Sequence, residues 1–109
     1  MILASFTIFP TSEGSSVSRY VKRVLSVLDD TGLHHETNAM ATVIEAPDLH
    51  SLFDALTRVH DALVAMDVDR IHMDLHVDHR LDKKATIQSK LSSIGRASAC
   101  TNSTLAPLL

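Results

Sequence analysis

The sequence has no tryptophan, one tyrosine, three phenylalanines and a single cysteine in 109 residues. With 4% aromatic and 45% hydrophobic residues, any core must be built from aliphatic side chains. A lone thiol, Cys100, cannot close an internal disulfide, which fits a reducing compartment and a cytoplasmic protein. Only three glycines and three prolines punctuate the chain, so few places can break regular structure. Neither sign of charge dominates: ten Lys and Arg against thirteen Asp and Glu leave a net charge of -3, with no basic patch for nucleic acid or an anionic membrane surface. No apolar run approaches the ~20 residues that span a bilayer. The apolar start, Met1 to Phe6, lacks the basic flank of a signal peptide.

What is present reads as one α+β domain. Residues 2–9 are rich in β-branched and aromatic types and stop at Pro10, predicting a strand with Ile2, Ala4, Phe6 and Ile8 on one face. A turn-forming loop from Pro10 to Ser16 precedes a helix over about 16–31, with an apolar stripe of Val17, Tyr20, Val21, Val24, Leu25 and Leu28 and a cap at Gly32. The hydroxyls at the loop's end suit helix capping. Residues 33–38 and Thr42–Val43–Ile44 predict a hairpin. Pro47 and Asp48 suit the first turn of a helix over about 48–66, striped by Leu49, Leu52, Phe53, Leu56, Val59, Leu63 and Met66.

Residues 70–80 alternate most cleanly, with Ile71, Met73, Leu75 and Val77 on one side and His72, Asp74, His76 and Asp78 on the other, predicting a strand buried on one face. Ile87, Leu91 and Ile94 predict a short C-terminal helix ending near Gly95, before a loose tail over 97–109. The order strand, helix, hairpin, helix, strand is a ferredoxin-like βαββαβ sandwich over 1–96, a four-stranded antiparallel sheet with both long helices on one face. Its other face is expected to be open. Leu3 and Phe9 make that face of the first strand apolar, so a second copy of the chain is expected to cover it.

Few residues point to chemistry. His72, Asp74 and His76 share a strand face and could begin a metal site, but no third convergent ligand is identifiable, and a polar outer face partly used in subunit contacts is the better account of them. His34 and His35 are adjacent and would point to opposite faces. His60 reads as a boundary histidine of the second helix. No Gly-x-Ser-x-Gly motif or partnered cysteine supports nucleophilic catalysis, so no enzymatic activity and no cofactor are expected. Gly14 to Ser18 could present backbone N–H groups and hydroxyls to a ligand, or merely cap a helix. Glu45 ends an apolar strand, either solvated or in need of a partner.

These same segments resemble the small thiamine-binding protein family that includes YkoF-like and cell-wall-associated fungal homologues, formerly grouped as proteins of unknown function. The resemblance lies in Pro10, Gly14, Ser16, Val17, Ser18 and Tyr20-Val21, then Met40-Ala-Thr42-Val-Ile44-Glu45, Val59-His60 and Asp78-His79-Arg80, and covers about residues 2–95. It implies a ferredoxin-like fold, homodimers or homotetramers paired through their sheets, and thiamine or a related pyrimidine bound near a subunit interface. Carried over residue by residue, it implies Ser16, Ser18, Met40, Thr42 and Glu45 as ligand-binding positions. The chain departs at Ala39, Ala41 and Ala46, where the family usually has Pro, Gly and Gly, changes that add methyl groups and, at the two former glycines, restrict the backbone.

Overall fold

In a computed structural model, which describes residues 1–14 and 17–95, the elements run β1 (Ile2–Pro10), α1 (Ser18–Thr31), β2 (His35–Thr37), β3 (Thr42–Ala46), α2 (Leu49–Val64), β4 (Ile71–His79) and α3 (Ile87–Ser93). The strands form one sheet in the order β2-β3-β1-β4, and every neighbouring pair is antiparallel. This is the ferredoxin-like arrangement expected from the sequence.

Register assigns the faces. Phe6 lies opposite Thr42 and Leu75, and Ala4 opposite Ile44 and Val77, so even positions of β1 and β3 share a face with odd positions of β4. That face is the core: Ile2, Ala4, Phe6, Ile8 and Ile44 cluster with Tyr20, Val24, Val27 and Leu28 of α1 and with Leu52, Val59 and Leu63 of α2. Leu28, Ile44, Leu52 and Leu63 are completely buried, and truncating one of these leucines to alanine costs about 2–5 kcal/mol.

The helix ends differ in detail from the sequence reading. α1 begins at Ser18, and its N-terminal cap is Val17, with no side-chain cap, rather than a hydroxyl residue. Ser16 lies outside the described residues. Gly32 does close α1, in the left-handed conformation (φ 75°) that favours glycine. For α2, Asp48 is the cap itself and accepts a 2.8 Å bond from the Ser51 N–H, a bond that holds its carboxyl below the ordinary carboxylate range. Phe53 and Leu49, read as core, are about half exposed; the buried stripe runs instead through Leu52, Ala55, Leu56, Val59, Ala62 and Leu63.

β4 also departs from expectation. Its intended core side is only partly covered, with Ile71 and Leu75 half-buried but Met73 37% and Val77 43% exposed. The helices pack mainly over β1 and β3, and β4 lies at the sheet edge beyond them.

The second face of the sheet is covered at one end by the chain itself. Leu3, opposite Glu45 and Asp78 on that face, is buried together with Ala85 and Ile87. The Ile87 N–H donates to Glu45 Oε2 at 3.3 Å, and Lys90 forms an ion pair with Asp78. A capping box between Thr86 and Ser89 starts α3 at this spot. The predicted short helix is therefore a strap across the Leu3 end, while among the described residues the end carrying Phe9, Thr7, Asp74 and His72 is uncovered. Residues 97–109, the predicted loose tail, lie outside the described residues.

Candidate functional site

A cavity of about 230 Å³ opens between α1 and the β2–β3 hairpin. Val17, Val21, Val24 and Leu25 form its helical wall, Phe6 and Ile8 its floor, and the hairpin from Thr37 to Thr42 its far side. The local sequence explains the shape. Val21 and Leu25 stand one turn apart beside the buried Tyr20–Val24 stripe, so α1 presents aliphatic surface toward the hairpin as well as the core. The hairpin turns through Asn38, whose Oδ1 accepts bonds from the N–H groups of Met40 (2.8 Å) and Ala41 (3.0 Å), while the Asn38 N–H donates to the Ala41 carbonyl. This Asx turn fixes the loop and leaves Met40 82% exposed above the cavity.

None of the described lining residues is charged. The polar lining residues are Thr7 of β1 and, on the hairpin, Asn38, Thr37 and Thr42; Thr42, buried, and Thr37, exposed, hold their hydroxyls 2.8 Å apart across the two strands. Such a space accepts a small, flat, uncharged group with a hydrogen-bonding edge. An apolar cavity of about 150 Å³ is enough for a benzene ring. The volume here suits one substituted six-membered ring.

The five positions implied by the resemblance do not converge. Met40 and Thr42 line the cavity. Ser18 is exposed at the first residue of α1 and is not part of the lining. Glu45 alternates to the opposite face of the sheet, where its Oε2 holds α3 and lies 3.7 Å from His34 Nε2. Sequence reading did not single out Val21, Leu25, Thr37 or Asn38 as site residues. An Asn three residues before Ala41, between two strand-like segments, was the available signal for the turn.

The histidines are arranged as their spacing implied. His34 reaches toward Glu36 and Glu45 on the sheet face away from α1 and α2, whereas His35 Nε2 lies 3.0 Å from Asp29 Oδ1 at the end of α1. His60 is exposed beside Asp61, and His72 Nε2 is 3.0 Å from Asp74 Oδ2. Among the described residues no three His, Cys, Asp or Glu side chains converge as metal ligands.

A four-stranded antiparallel sheet backed by two helices, with a ring-sized, uncharged cavity at the hairpin, defines a ferredoxin-like α+β domain suited to binding a small molecule. The chain belongs to the thiamine-binding protein family, whose model matches residues 4–95. It is 43% identical over 94 residues to the protein MJ1052 of Methanocaldococcus jannaschii, covering 86% of this chain and 92% of that one. The crystal structure of that protein superposes with a TM-score of 0.77 over 86% of this chain and 95% of its own. The Bacillus subtilis protein YqgV is 32% identical over 101 residues, covering 88% and 96% of the two chains. No helix among the described residues is long and apolar enough to cross a membrane.

Proposed function

We propose that this chain binds thiamine or a related pyrimidine without transforming it, with the uncharged aminopyrimidine ring held in the cavity between α1 and the β2–β3 hairpin. The observation that carries the reading is the lining itself: aliphatic walls, no charged side chain among the described residues, and the Thr37–Thr42 hydroxyl pair at one edge, in a member of the thiamine-binding family. Met40 packs over the ring as an adaptable cover, and Thr42 offers its hydroxyl to a ring nitrogen or exocyclic amine. The cationic thiazolium half extends outside, because a charge enclosed by these walls would lack a partner. The protein acts in the cytoplasm as a homodimer or homotetramer, with no bound metal or cofactor.

Calorimetric titration tests the reading. Heat is expected with thiamine and with its isolated aminopyrimidine half, and little with the thiazole half. Absence of heat with both thiamine and the aminopyrimidine would leave a structural or regulatory oligomer as the better account.

A further inference from the structure

Met40 is the most exposed of the four methionines, and the core makes no use of it. It is 82% exposed at the turn between β2 and β3, whereas Met73 is 37% exposed, and Met1 and Met66 are partly buried, Met66 against the core. The backbone beneath it is fixed. Asn38 Oδ1 accepts the Met40 N–H at 2.8 Å and the Ala41 N–H at 3.0 Å, and the strands pair again at Thr37 and Thr42. The turn thus holds a soft apolar side chain in water at the rim of the cavity that it helps to line.

A thioether so exposed is open to oxidation, and methionine sulfoxide is polar, chiral and enzymatically reversible. We propose that Met40 is a reversible oxidation site that switches ligand binding: a peroxide converts its thioether to the sulfoxide, and the cavity then loses most of its affinity for the ring. The inference rests on the thiamine reading above. In the step, the sulfur lone pair attacks one oxygen of hydrogen peroxide, and the S–O bond forms as the O–O bond breaks. The other oxygen takes up the proton left on the first and leaves as water. Sulfur is oxidised and the peroxide reduced, each by two electrons.

The cavity explains why one added oxygen matters. With the ring bound, the sulfoxide oxygen must either turn to solvent, lifting the cover from the ring, or lie enclosed against the aliphatic walls. The described lining holds no charged donor, and the Thr37 and Thr42 hydroxyls already bond to each other. An enclosed oxygen without a donor opposes binding. The empty protein has nothing comparable to lose, because Met40 stands outside the core. Oxidation therefore acts on the ligand and leaves the fold alone.

The test uses the full chain carrying Cys100→Ser, so that no thiol reacts. Hydrogen peroxide is added, oxidation of each methionine is followed by peptide mass spectrometry, and thiamine affinity and Tm are measured at intervals. Met40 is expected to oxidise before Met73, and saturating thiamine to slow Met40 alone. Its conversion is expected to weaken thiamine binding about tenfold at unchanged Tm, and methionine sulfoxide reductases for both epimers to restore it. Met73→Leu should keep this response, whereas Met40→Leu, whatever its own affinity, should show the same affinity before and after peroxide. No binding by the untreated protein refutes the thiamine reading and this inference with it. Binding that survives complete Met40 oxidation overturns the inference alone, as does a loss that Met40→Leu still shows or the reductases do not reverse. Oxidation of Met73 ahead of Met40 overturns it too.

Discussion

Replacing Glu45 separates the two sides of the sheet. Its carboxylate is the anchor of α3: Oε2 accepts the Ile87 N–H at 3.3 Å, and the side chain is only 14% exposed. A hydrogen bond to a charged group contributes about 1.5–3 kcal/mol, and the length of this one places it near the lower end, about 1.5 kcal/mol. His34 at 3.7 Å, itself nearly half exposed, adds little. Glu45→Ala is therefore expected to lower the Tm by roughly 5–10 °C for a domain of this size, with Glu45→Gln falling between it and the wild type. Amide exchange should accelerate first around Ala85 and Ile87, the residues that α3 buries over Leu3. Thiamine affinity, measured below the new melting transition, should not change, because Thr42 and Met40 lie with the cavity on the other face. A fold-intact variant that loses thiamine binding would refute this division and return Glu45 to the ligand site.

Three further outcomes are expected. Thr42→Val keeps the shape of a buried side chain but removes one of the paired hydroxyls; calorimetry should show thiamine affinity reduced about twofold to tenfold, with stability changed by about 1 kcal/mol or less. Thiamine diphosphate should bind at least about tenfold more weakly than thiamine if the phosphates must lie against the uncharged lining, and equal affinity would show that a cation elsewhere receives them. Lys90 holds the Asp78 carboxyl low and Arg80 holds Asp82 at about 2, so the folded state binds fewer acid protons than the unfolded chain; their contribution is complete above the ordinary value of 3.8 and is lost as pH falls toward 2. Thermal scans from pH 5 to 2 should show a falling Tm, less steeply in Asp78→Asn, and a flat profile would count against these pairs.

How much of this was legible in the sequence depends on how local the cause is. α2 was readable because its cap and most of its stripe are contained in one stretch of chain, and Gly32 could be placed because the end of a helix asks for a left-handed residue. Phe53 and Leu49 misled because both fit a helical stripe at its border, and only the position of β3 and β1 decides which edge of that stripe the sheet covers. β4 misled for a related reason. Alternation assigns Met73 and Val77 to the core side, but a strand's place in the sheet is a global property, and at the edge the core side reaches past the helices.

The candidate site was legible only in part, and Glu45 shows why. Met40, Thr42 and Glu45 look like one cluster along the chain, yet a strand sends consecutive odd and even positions to opposite faces, so Thr42 joins the cavity while Glu45 joins the strap. The cavity walls contributed by Val21 and Leu25 resemble ordinary core residues until the hairpin is seen to stop short of them. One sheet thus carries two separable devices. The helix face and hairpin enclose a space with no charged lining among the described residues; the other face is strapped at one end by α3.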